Sequence, residues 1–231
     1  LNDWESELKP YYDEALRMLG ATKNPELFDG DLGLQKVAEN LDIKKKFAPT
    51  RVAVFFGKPG LTQKDPYFNG QGPERSGCNF CGACMTGCRH NAKNTLDKNY
   101  LWFAEKWGAK VEPETKVTKV EYIDGLYHIH TESSTSWFSK KRRVFKSKGV
   151  VFSAGVLGSL KLLFRQKEEF GTLSGLSDKL GSNLRTNSES LCGIAGIEKK
   201  MNQGLAISRV FNTEDKAKIE WVNIGIGSGG A

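Results

Sequence analysis

The period of the apolar positions changes several times along the chain, and each change predicts a different element. In "YYDEALRMLGA", Tyr12, Ala15, Leu16 and Leu19 recur at helical spacing, and Gly20 stands where a left-handed cap would end the run. An amphipathic helix is expected there, followed by a turn-rich connector, "TKNPELFDGDLG", and a short helix over "LQKVAENL". From Lys58 to Gly77 glycine and proline are too dense for any regular element. Helical spacing returns at Leu96, Tyr100, Phe103, Ala104 and Trp107, a stripe that Asn94 or Thr95 can cap and Gly108 ends.

Beyond Gly108 the period falls to two. "KVTKVEYIDGLYHIHTE" alternates on both sides of Asp124 and Gly125, a pair suited to the left-handed conformations of a two-residue hairpin turn. With "RVFKS" as a third strand, a β-meander is expected. "GVVFSAGVLGSLKLLF" then reads as a short strand buried on both faces, a small-residue turn at Ser153 to Gly155, and an apolar helix from about Val156 to Phe164. That is the pattern of a parallel sheet, so the expected fold class is α/β, of mixed α+β character. Past Gly171 the sequence is loop-rich, and there is no internal repeat.

Composition narrows the class. Of 231 residues, 39% are apolar and 26% charged, which suits a folded globular chain rather than a disordered one. No apolar run approaches the roughly 20 residues a membrane-spanning helix needs. The opening, "LNDWESELKP", is polar and acidic where a signal peptide would be basic and then apolar, so a cytoplasmic location is expected. The net charge of +7 is densest at Lys140, Lys141, Arg142 and Arg143, followed by Lys146 and Lys148. Such a run can meet nucleic acid or an anionic membrane surface, but its place beside "TESSTS" between strand-like segments reads as a solvated hairpin tip. No nucleic-acid partner is expected.

Four of the five cysteines fall within "CNFCGACMTGC". Cys78, Cys81, Cys84 and Cys88 have the C-x2-C-x2-C-x3-C spacing of a ferredoxin run, with Arg89 where that motif carries proline. They are candidate ligands of a [4Fe–4S] cluster. Cys88 would have to fold back onto its own cluster, or Cys192 approach from far along the chain. Zinc prefers pairs held apart by a longer loop, and a reduced, metal-free loop is a third reading. His128 and His130 share a strand face that reads as solvated, and His90 lies beside Cys88. "SAGVLGS" offers backbone amides and a helix N-terminus to a phosphate-bearing cofactor, or else serves close strand–helix packing. "GIGSGG", Gly225 to Gly230, lacks the following helix and acidic residue of a dinucleotide fingerprint.

Taken in order, several segments resemble the glucose–methanol–choline (GMC) oxidoreductases, in their cholesterol-oxidase-like branch. The carriers are "YYDEALRMLGAT", the cysteine loop, "AKNTLDKNYL", "TKVTKVEY", "VVFSAGVLGSLKLL", "LGSNLRTNSE", "GLAIS" and "IGSGG". The resemblance implies an FAD-binding α/β domain joined to a substrate domain on an antiparallel sheet. It matches Val117 to the strand residue beside the flavin adenine, and Ser153, Ala154 and Gly155 to the turn near the cofactor. The implied division is 1–110, helical and loop-rich with the cysteine loop at 78–88; 111–190, part of the FAD-binding domain with the β-meander and the strand-turn-helix; and 191–231, the start of the substrate domain, with "RTNSE" near the crossing. The glycine-rich fingerprint and the catalytic histidine of such enzymes are expected outside this stretch, leaving the catalytic residues unknown and a chain that holds FAD weakly and is inactive by itself. The implied reaction oxidises the CH–OH group of a small-molecule alcohol, sterol-like or otherwise bulky, with hydride passing to flavin and then to an acceptor the residues do not identify. A cluster at the cysteines would favour a dehydrogenase. The competing readings are an iron–sulfur electron-transfer module and, behind it, a nucleic-acid-binding protein.

Overall fold

The computed structural model describes residues 3–185, 187, 189–193, 198–199 and 201–225. The chain forms two compact units, one of Leu1–Ala109 with Ile194–Ala231 and one of Lys110–Gly193.

In the first unit, helix α1 runs Trp4–Met18, earlier than the periodicity predicts and straight through Pro10. Its start is fixed by Asp3, whose carboxylate accepts from the Ser6 amide at 3.3 Å, with Glu5 and Glu7 in the first turn favoured by the helix dipole. Gly20 follows at φ +56°, and a side chain there would run into the Tyr67 ring. Strand β1 is Thr22–Lys23. Helix α2, Asp29–Asn40, also begins before the expected "LQKVAENL", because the Asp31 carboxylate accepts the Phe28 amide at 2.9 Å and caps the extra turn. Short strands β2 (Ala48–Pro49), β3 (Arg51–Val52), β4 (Thr62–Gln63) and β5 (Arg75–Ser76) follow. The β4–β5 pairing corrects the expectation of no regular element between Lys58 and Gly77. One carboxylate organises the turn between them: Asp65 accepts from the amides of Tyr67, Phe68, Gly70 and Gly72. Helix α3, Tyr100–Lys106, is capped by Asn99 rather than by Asn94 or Thr95.

The second unit opens on the expected meander of β6 (Thr115–Ile123), β7 (Leu126–Ser133) and β8 (Arg142–Ser147), in the order β6-β7-β8. Asp124 and Gly125 take φ of +50° and +80°, as the two-residue turn requires. Helix α4, Gly155–Phe164, continues into a π-helical turn, Arg165–Phe170, which Gly171 ends at φ +61°. The buried strand expected before α4 does not form. Residues 149–152 are in no ladder and Val151 is 88% exposed, because among the described residues no strand lies alongside to receive their backbone hydrogen bonds.

The chain then returns to the first unit. β9 (Ile207–Asn212) and β10 (Lys218–Val222) join β2 in a sheet of order β10-β9-β2. Leu34 and Ala38 of α2 pack on Phe211 of β9, with Ile43, Phe47 and Trp221 around them. The Ser208 hydroxyl bonds the buried Asp31, joining β9 to the start of α2. The architecture is mixed α/β, as expected. Of "GIGSGG" only Gly225 is among the described residues, and Thr186 and Ser188 of "RTNSE" are outside them.

Candidate functional site

A groove of about 450 Å³ in the second unit brings together Val117, Ser153 and Ala154, with Val120, Ile129, Lys161 and Arg165 among its other lining residues. Gly155 adjoins it without lining it. In a regular strand, positions three apart face opposite sides. Val117 and Val120 share this groove because the β6–β7 register shifts between Val117 and Lys119, a bulge that inserts Thr118. The Thr118 hydroxyl donates to the His130 carbonyl at 3.2 Å and holds the bulge against β7.

The groove wall is fixed from behind by Gln166, which is fully buried in the π-helical turn. Its side-chain oxygen accepts the Val120 amide at 2.7 Å and its Nε2 donates to the Leu162 carbonyl at 2.9 Å. The Thr172 hydroxyl donates to the Val120 carbonyl at 2.7 Å. These side chains thus satisfy both backbone groups of Val120 on the open edge of β6. The π-turn was not legible in the sequence, and Gln166 reads there as one polar residue in "RQKEEF".

Beside the groove, Gly155 opens α4 at φ +70°, a conformation that costs any residue with a Cβ. No side chain caps this helix, so its first amides are available to a ligand. Lys161 lines the groove and, among the described residues, has no carboxylate partner, while Arg165 pairs with Glu169 at 2.9 Å. The groove thus combines an apolar face of valines with the residue before the α4 N-terminus, Ala154, and with Lys161.

The cysteine loop lies in the first unit. Cys81 bridges Gly204, the Gly82 amide donates to the Gly204 carbonyl at 2.9 Å, and the Gly204 amide to the Phe80 carbonyl at 2.8 Å. Cys78, Cys81, Cys84 and Cys88 line one cavity of about 10 Å³, which is room for a single water at most. Among the described residues, no three Cys, His, Asp or Glu side chains are arranged to hold a metal ion, so the expected cluster finds no support. The spacing brings the thiols to one place, but the loop packs Cys78, Cys84 and Cys88 with Val54, Ala92 and Leu205 as part of a core. Burial pushes the Cys78 thiol up to about 11 and raises that of Cys84. Burial also opposes the Cys88 thiolate, yet amides of Lys93, Ala92 and His90 together outweigh it and hold its pKa below the ordinary value. Cys192, in the second unit, is exposed.

Arg75 immediately precedes this loop and is wholly buried, a residue that sequence reasoning missed. Its guanidinium donates to the Asn94 side chain at 2.6 Å and to the carbonyls of Pro73, Glu74 and Lys98. Asn94 in turn donates to the Leu19 carbonyl at 3.0 Å, tying the end of α1 to the approach of the cysteine loop. The histidines form no metal group: His130 meets Glu121 at 2.5 Å and His90 meets Asn79 at 3.2 Å.

No described helix is long and apolar enough to cross a membrane. A family model described as GMC oxidoreductase matches residues 71–188. The chain is 46% identical to a cholesterol oxidase of Acinetobacter baumannii over 94% of its own length, and 44% identical to a cholesterol oxidase of Mycobacterium tuberculosis over 99%. In each case it spans 41% of the length of the relative. No solved structure matches it. The matched stretch begins ahead of the cysteine loop and takes in the meander, the turn and α4, and on this ground the chain belongs to the GMC oxidoreductase family.

Proposed function

We propose that this chain contributes the adenosine-binding part of an FAD-dependent oxidoreductase that oxidises the CH–OH group of an alcohol, of sterol-like size. The observation that carries the reading is the groove in which Val117, Ser153 and Ala154 meet beneath the uncapped start of α4. Val117 and Val120 form an apolar wall for the adenine ring, and the α4 amides with Lys161 attract the diphosphate. Gly155 keeps the backbone turn open to that approach. When bound, the flavin accepts the hydride of the alcohol carbon. The role of these residues is to bind and orient; none of them is assigned the hydroxyl proton, whose acceptor the reading leaves to another part of the protein.

The second unit is accordingly the cofactor side and the β10-β9-β2 sheet of the first unit belongs to the substrate side. The sterol-like substrate is proposed from the names of the two relatives, and the four cysteines are given no part in the reaction.

The test is anaerobic mixing of the full-length gene product with a 3β-hydroxysterol, with a short primary alcohol as comparison. A yellow protein whose flavin absorbance bleaches with the sterol and yields the ketone bears the reading out. A colourless protein overturns the flavin assignment, and bleaching by the short alcohol alone overturns the sterol. Ala154→Leu fills the groove and should weaken FAD binding about fivefold to a hundredfold, as overpacking of about 1–3 kcal/mol predicts.

A further inference from the structure

The β7–β8 connection carries an arrangement that neither the fold nor the flavin groove uses. Between Glu132 and Lys140 the chain reads Ser133, Ser134, Thr135, Ser136, Trp137, Phe138, Ser139, with no charged residue. Trp137 is 92% exposed and Phe138 fully exposed, and among the described residues neither ring has an aromatic or cationic partner. The cations follow directly: Lys140, Lys141, Arg142 and Arg143 are all exposed at the start of β8.

Three carboxylates lie near this cluster and must be set against it. Glu132 is held by Lys140 at 2.9 Å and Lys116 at 3.8 Å, Glu112 by Arg143 at 2.9 Å, and Glu114 accepts from the Thr135 hydroxyl at 3.0 Å. Among the described residues Lys141 and Arg142 have no carboxylate within ion-pair distance, although Arg142 stands across the strands from Glu132, and Lys146 lies further along the same strand. Positive charge is therefore left over just behind an apolar tip.

We propose that this hairpin tip docks on an anionic lipid bilayer surface, with Trp137 and Phe138 entering the headgroup boundary and Lys141 and Arg142 at the level of the phosphates. The layering carries the proposal. Aromatic rings settle at the boundary between headgroups and acyl chains, and basic residues one step back meet the negative surface. From Ser133 to Ser139 the tip carries no charge of its own, and the Glu114 carboxylate that accepts from Thr135 has to stay outside the headgroup boundary. A solvated tip, the expectation from the basic run alone, has no use for two adjacent bare aromatics. Nucleic acid would also attract the cations and offer bases for stacking, and Lys141, Arg142 and Arg143 line a groove beside the tip, but Glu114 and Glu132 line the same groove and repel a polyanion there. The proposal does not depend on the flavoenzyme reading.

The experiment is co-sedimentation of the full-length protein with vesicles of phosphatidylcholine alone and of equimolar phosphatidylcholine and phosphatidylserine. Binding to the anionic vesicles only, weakened by salt, is expected, at about fivefold in affinity for each unpaired cation. Trp137→Ser/Phe138→Ser and Lys141→Ala/Arg142→Ala should each lose tenfold or more, with thermal unfolding unchanged because all four side chains are exposed. A blue shift of tryptophan emission on binding that vanishes in Trp137→Phe places the ring at the interface. Absence of vesicle binding, binding unaffected by the paired aromatic variant, or retention of a DNA oligonucleotide in place of vesicles would overturn it. Flavin content, read on the same samples, reports separately on the reading of the groove.

Discussion

Cys78 and Cys88 bear the same thiol in one loop and are pushed in opposite directions, Cys78 by burial and Cys88 by the amides that surround it. At neutral pH, iodoacetamide labelling followed by mass spectrometry should modify exposed Cys192 first and Cys78 last. The fold keeps the Cys78 proton up to about 11, whereas the ordinary thiol value is 9.0. Its contribution to stability is thus complete below pH 9 and is lost as pH rises towards 11, by about 2 kcal/mol. Urea unfolding of Cys78→Ala should show a flatter alkaline arm than the parent; arms of equal slope would refute the assignment. Arg75 makes a sharper case. Its four acceptors are uncharged and come from three stretches of chain, so Arg75→Ala should cost about 3 kcal/mol, and Arg75→Lys should not restore it because an ammonium lacks the planar fork. In "GPERSG" this arginine reads as surface charge, since no local pattern reveals acceptors contributed by Asn94 and Lys98.

At the scale of elements, what was legible was what local chemistry decides. Asp124 and Gly125 set a turn whose geometry both residues favour, and the alternation around them sets β6 and β7. Helix starts were less legible, because Asp3 and Asp31 extend α1 and α2 backwards through side-chain caps that apolar spacing does not register. The strand expected before α4 depended on partners, and apolar residues alone do not make a ladder. The bulge at Thr118 and the π-turn were also silent, the first because it is defined by pairing with β7 and the second because apolar spacing does not register a shift from i→i+4 to i→i+5 bonding. They act together: Gln166 holds the Val120 amide and so fixes the wall of the groove. Gln166→Leu leaves that amide buried and unpaired, which should destabilise the second unit by about 2 kcal/mol and raise hydrogen exchange at Val120. Exchange unchanged at Val120 would show that Gln166 is dispensable.

Over the whole molecule, the order of segments was more informative than any one of them. The turn at Ser153 to Gly155 is ambiguous alone, and Val117 is one valine in an alternating strand; the groove in which they meet exists only once the meander and α4 pack in one unit. The cysteine spacing was the reverse case, a specific motif for which the described residues show no group arranged to hold a metal ion. Proximity in sequence brought the thiols together, but packing against Val54, Ala92 and Leu205 decided what they surround.

The central claim is that the groove receives the adenine of FAD. An azido-adenine analogue of FAD, photoactivated on the full-length protein and mapped by peptide mass spectrometry, tests it most directly. The account predicts label in the peptides that hold Val117 to Val120 and Ser153 to Lys161, competed away by FAD. Label confined to other peptides, with these two unmodified, would contradict it.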